Sequence, residues 1–241
     1  MALPESERII LPAPRGALAP AMEFTVCWRP STRAQRVSLR VCPRDGAVLV
    51  TLPPGEGRRA GLALLKEHGG WVMDRLAALA PAMPFAPGAR VPIGGVKHRL
   101  RHDPDAKGSP FLHRRTLVVP GAEENFRRRA LDFMRAEARR RITAHIAPHA
   151  AALGVAHGPI RVKDTRSRWG SCAPDGTLAF SWRLVMAPEW VMDYVVAHEV
   201  AHLKELNHSP RFWAHLAKLT PHREEAVAWL TKEGPALLRI G

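Results

Sequence analysis

Cysteine, tyrosine and long apolar runs are all scarce in this chain. Its three cysteines, Cys27, Cys42 and Cys172, form no Cys-x-x-Cys pair and no even set. A disulfide framework therefore drops out, and a reducing, cytoplasmic compartment is the expectation. No apolar run approaches the roughly 20 residues that span a bilayer, so no membrane anchor is expected. The first charges are Glu5 and Glu7, and the apolar stretch after them is cut by Pro12, Pro14, Arg15 and Pro20. That is not the pattern of a secretory signal. No Walker loop, dinucleotide-binding glycine motif or internal repeat is present, which removes the commonest nucleotide-binding and solenoid readings.

What is present is an apolar fraction of 46% in 241 residues, enough for a packed core in one large domain or two small ones. Global disorder is thereby excluded. The formal charge of +14 is spread over both halves of the chain and attracts polyanions, nucleic acid among them. A basic surface with no such partner explains the same charge.

Residues 1–22, rich in Pro and Ala, read as a flexible leader. Residues 23–120 read as a small β-rich lobe. Arg36–Val41 and Ala47–Leu52 alternate around a Pro-Arg-Asp-Gly turn, which predicts a hairpin. The spacing of Leu62, Leu65, Trp71, Leu76 and Leu79 predicts one amphipathic helix over 58–80. Residues 121–241 form the second domain. A long helix is expected over 123–147, with seven arginines between Arg127 and Arg141. Those arginines read either as a phosphate-binding face or as a solvated one. The absence of interleaved aromatics favours the second. Further on, Pro174-Asp175-Gly176 marks a turn, and Thr177–Leu184 alternates as a strand able to accept an extended peptide by edge pairing. Helices follow from Pro188, from Ser209-Pro210 and over 222–238.

The most informative stretch is His198-Glu199-Val200-Ala201-His202, followed by His208. Two histidines four residues apart share one helix face and can bind one metal ion. Glu199, next to the first of them, is placed to act as a general base on metal-activated water. His208 would close a site of three protein ligands with the fourth position open. The fit is to a zinc hydrolase. Val191, Val195, His198 and His202 lie on one stripe, so the histidines extend a buried helix face.

Arg168-Trp169-Gly170-Ser171-Cys172, Trp182-Arg183-Leu184, Asp193-Tyr194-Val195-Val196, Asn207-His208-Ser209 and Phe212-Trp213, together with the histidine motif, resemble the YgjP-like metallopeptidases. These are a bacterial branch of the HExxH zincin clan. The resemblance is dense over 160–216 and looser over the N-terminal lobe. It implies His198, His202 and His208 as zinc ligands, Glu199 as general base, and a peptide or protein substrate. It also implies kinship with SprT-like proteases, which act on proteins crosslinked to DNA. The histidine spacing equals that of metzincins, but Glu205 stands where they require glycine. Glu224 or Glu225 remains a rival third ligand. The expected fold is α+β: a β-rich N-terminal lobe, then a zincin-like helical metallopeptidase domain with an active-site hairpin. A second class stays open, a nucleic-acid-associated basic protein with protease activity secondary or lost. The retained Glu199 favours the enzyme. Cys172 and Tyr194 read as structural, Arg166, Arg168 and Arg183 as either substrate-steadying or ion-paired, and His215 and His222 as surface residues.

Overall fold

The computed structural model describes residues 5–11, 22–166 and 168–241. It is a mixed α+β structure, as expected, and its contacts divide it into two compact units, Met1–Pro81 and Ala82–Gly241.

In the first unit, β1 (Ser6–Leu11), β2 (Met22–Pro30), β3 (Ser38–Val41) and β4 (Val48–Leu52) form one sheet in the order β1-β2-β4-β3. The expected hairpin is present: β3 runs antiparallel to β4 with Leu39 opposite Val50. Alternation buries Phe24, Val26 and Trp28 on one face of β2, with Val48, Val50 and Leu52 of β4 beside them. Leu65 and Val72 cover that face from the helices. The single helix expected over 58–80 is instead α1 (Arg58–Glu67) and α2 (Gly69–Ala77), broken at His68. Gly69-Gly70 at the break carries about 1 kcal/mol of helix penalty per glycine, and the spacing of the leucines does not register that cost. Of the expected leader, Ser6–Leu11 is a strand paired with β2, while residues 1–4 and 12–21 lie outside the described residues.

The second unit opens with a sheet of β5 (Arg90–Ile93), β6 (Val96–Asp103), β7 (Phe111–His113) and β8 (Thr116–Pro120), ordered β5-β6-β8-β7. The compact division thus falls at Pro81 and not near residue 120. The reason is burial: Val91, Ile93, Leu100, Leu117 and Val119 belong to the same core as the helices that follow. The first of these, α3 (Phe126–Leu153), runs past the expected end and contains Pro148. Phe126, Ala130, Met134, Ala138, Ile142, Ile146 and Ala150 are buried at strict steps of four, one continuous ridge of the helix. Gly154, with φ 59°, ends it in the left-handed conformation that glycine takes without strain.

A three-stranded sheet comes next: β9 (Ile160–Lys163), β10 (Gly170–Cys172) and β11 (Leu178–Ser181), ordered β10-β11-β9. The expected hairpin is β10–β11, with Gly170 opposite Phe180. Two expectations about 177–184 fail. The strand ends at Ser181, whose hydroxyl accepts from the Arg183 N–H and starts a 3-10 turn over Trp182–Met186. And β11 is the central strand, paired on both sides, so it has no edge to offer a peptide. Both faces of Leu178–Ser181 are buried as well, which one-sided alternation does not produce.

The chain then forms α4 (Glu189–Ala201), α5 (Pro210–Leu219), α6 (Arg223–Lys232) and the short α7 (Gly234–Leu237). Helix α4 is buried almost all round, with Val191, Met192, Val195, Val196, Ala197, Val200 and Ala201 in the core. The Ser209 hydroxyl caps α5 by accepting from the Phe212 N–H, with Pro210 at its first turn, as the sequence predicts. The last expected helix is split before Gly234-Pro235. No helix among the described residues is long and apolar enough to cross a membrane.

Candidate metal centre

His198 lies in the last turn of α4 and His202 immediately caps it, so the four-residue spacing puts both imidazoles on one face. A short turn after His202 brings the chain back to His208 before α5 begins. The three rings form a near-equilateral triangle, with centroid separations of 4.9, 5.1 and 4.8 Å. One nitrogen from each lies within 4.8 Å of the other two. His198 Nε2 and His208 Nε2 are 3.1 Å apart. Ligand atoms at zinc bond lengths subtend about 3.3 Å across a tetrahedral angle, so the donor spacing suits a single small cation. The Nδ1–H of His202 donates to the Glu205 carbonyl at 3.0 Å, which leaves its Nε2 lone pair free for a metal.

Helix α5 supplies the floor. Fully buried Phe212 packs against all three imidazoles, with centroids at 4.9, 4.5 and 4.7 Å. Trp213 stacks on His208, and the Arg223 guanidinium lies over Trp213 at 3.6 Å. Burial lowers the His198 pKa to about 4, helped by the neighbouring His202 and His208, so the ring is neutral at physiological pH. Its Nδ1 is buried without a partner among the described residues.

Glu199 projects from the same helix turn and is 6% exposed. Burial pushes its carboxyl up to about 8, opposed by the charge of Arg168 and by the Cys172 backbone N–H. It faces β10, where Gly170 lies against it. Beside the two is a cavity of about 350 Å³, walled by Trp169, Tyr194, His198, Glu199, Val227 and Leu230. Tyr194 therefore has a part at the site as well as in the core, and Gly170 contributes by what it lacks. The sequence carried only one hint of Gly170's part, a glycine inside a strand.

Residues 35–233 match the YgjP-like family, metallopeptidase domain. The chain belongs to that family. As a YgjP-like protein it is a metallopeptidase, and the family implies a bound metal ion and a peptide or protein substrate. No curated protein matches it. Among solved structures it is similar to the metallopeptidase zymogen of Pyrococcus abyssi abylysin, at 24% identity and a TM-score of 0.35, over 38% of this chain and 93% of that one. The metallopeptidase zymogen of Methanocaldococcus jannaschii jannalysin is similar at 19% identity and a TM-score of 0.35, over 38% and 95%.

Of the remaining sequence candidates, Arg168 and Cys172 act on Glu199 as described, by charge and by a backbone N–H. Glu225 sits 3.7 Å from His222, and neither it nor Glu224 falls within the donor cluster among the described residues. Arg183 is buried, not a surface residue, and bonds Asp164 and the Ile240 carbonyl. The Cys172 thiol, half-buried, donates to the Ala173 carbonyl. Five of the seven arginines on α3 bond acceptors within this unit. Arg128 reaches Asn125 and Asp132, Arg129 the Gly108 carbonyl, Arg139 the Ile160 carbonyl, and Arg140 and Arg141 share Glu137. The face is accordingly less available to phosphates than its composition implies.

Proposed function

We propose that the YgjP-like chain is a zinc-dependent peptidase in which His198, His202 and His208 hold the metal and Glu199 is the general base. The observation that carries this reading is the convergence of three imidazole nitrogens within 4.8 Å of one another, on the same helix turn as a buried carboxylate. Bound there, zinc would serve as a Lewis acid towards water and the scissile carbonyl.

Glu199 takes a proton from the attacking water at a carboxylate oxygen and passes it to the departing amine nitrogen. It must be ionised to do so. Burial alone opposes this, while a divalent cation beside it and the Cys172 N–H favour it. Phe212 and Trp213 hold the imidazoles in place and exclude water from their far side. An extended peptide adds to β10, the edge strand of its sheet, beside Glu199. The apolar walls of the neighbouring cavity favour an uncharged substrate side chain there.

Metal analysis of purified variants tests the assignment. His198→Ala, His202→Ala and His208→Ala should each lose the zinc that this site holds, while Glu199→Gln retains it. Full zinc retention in His202→Ala would overturn the reading. Retention in His208→Ala with loss in Glu224→Ala or Glu225→Ala would transfer the third ligand to that glutamate.

A further inference from the structure

A second cluster of metal-ligating side chains lies between α3 and α4, away from the histidine triad. His145 and His149 stand four residues apart on α3, the same helical spacing as His198 and His202. Opposite them on α4 is Asp193. Its Oδ1 is 3.2 Å from His145 Nδ1 and 2.8 Å from His149 Nε2, so two imidazole nitrogens converge on one carboxylate oxygen. All three donor atoms lie within 4.8 Å of one another.

From these residues the geometry points to a second divalent-cation site, of the zinc class, with His145, His149 and Asp193 as its protein ligands. Two imidazoles and one carboxylate are a donor set that zinc accepts, with a fourth position left for water. The observed spacings of 2.8 and 3.2 Å differ by only a few tenths from the roughly 3.3 Å between ligands of a tetrahedral zinc.

The surroundings supply the supporting contacts that bound metals use. Contacts outside the donor set support His145 and Asp193, and burial confines His149. His145 Nε2 donates to Glu189 at 3.1 Å, which turns Nδ1 inward. Arg141 in turn holds Glu189, and Glu137 holds Arg141. The buried Thr220 hydroxyl lies near Asp193 and helps to hold its carboxyl low. His149 is 8% exposed. Without a metal, protons on His145 Nδ1 and His149 Nε2 bridge to Asp193. A cation takes the place of those bridging protons.

The site is separate from the triad. Asp193 precedes His198 by five residues, about 7.5 Å of rise and well over a full turn of α4, so the two point to different sides of the helix. Bridged catalytic metals stand 3.5–4 Å apart, which is not the arrangement here. The metal at this second site would instead fasten α3 to the helix that carries Glu199.

Zinc titration of the full-length chain tests the inference, read by metal content after desalting and by thermal unfolding. The wild type should retain about two zinc ions per chain. The double variant His198→Ala/His202→Ala should retain about one, and zinc should raise its melting temperature, because a cation that binds only the folded state stabilises it. His149→Ala and Asp193→Asn should each lose one zinc and keep the other. The double variant leaves the second cluster untouched, so a folding failure of His149→Ala does not remove the test. The inference is overturned if the double variant holds no zinc, or if a folded His149→Ala holds as much as the wild type. If the double variant keeps both ions while His149→Ala loses one, the triad assignment fails and this one stands.

Discussion

Gly170 and Glu199 occupy space that only a glycine leaves free: a Cβ built on Gly170 would stand 2.5 Å from Glu199 Oε1. The contact joins strand β10 to helix α4 and sets the position of the buried carboxylate. Gly170→Ala must therefore push Glu199 aside or open the strand. A misplacement of about 1 Å at a reacting group can cost on the order of 100-fold in rate. We expect Gly170→Ala to keep its metal and its fold while turnover falls by about 10-fold or more, measured by peptide hydrolysis beside metal content. An unchanged rate would show that the carboxylate's position is not set by this contact.

Phe212 touches all three imidazoles and is fully buried. Truncation to alanine should destabilise the protein by about 3–5 kcal/mol, the usual cost of an aromatic cavity in a core. It should also loosen the triad. Urea unfolding measures the first effect, and zinc loss to a competing chelator, faster than in the wild type, measures the second.

Glu137 gives a pH dependence away from the histidine triad. Hydrogen bonds from Arg140, and then from Arg141, hold its carboxyl down to about 2 against the opposing effect of burial. A carboxyl depressed in the folded state stabilises it above the unfolded pKa of about 4.3, and that contribution is lost as pH falls towards 2. At neutral pH Glu137→Gln should be less stable than the wild type by roughly 1 kcal/mol, a figure reduced by the solvent around Arg140. The gap should narrow steadily between about pH 5 and pH 2. Urea unfolding of metal-free samples across that range checks it, and a gap independent of pH would contradict it.

The histidine triad could be read from the sequence because it is nearly local: two residues on one helix face and a third a short turn later. The hairpin before it was legible for the same reason, since Pro174-Asp175-Gly176 sits between alternating segments. What escaped depends on distant surfaces meeting. The Gly170–Glu199 approach joins residues from different elements and leaves no periodic trace. The unit boundary moved to Pro81 because the sheet of β5–β8 buries its apolar face in the core that α3 and α4 complete, and short strands do not reveal what covers them. His145 and His149 carried the i, i+4 spacing in plain view. Their partner Asp193 lies 44 residues from His149, so only the packing of α3 on α4 unites them.

The central claim is that Glu199 acts on water activated at the triad. Its most direct test is the hydrolysis rate of Glu199→Gln at full zinc loading, on a denatured protein or a quenched-fluorescence peptide pool. Glutamine keeps the size of the side chain and cannot accept the proton, so the rate should fall by on the order of 100-fold or more with zinc content unchanged. A wild-type rate from the zinc-loaded Glu199→Gln protein would contradict the account.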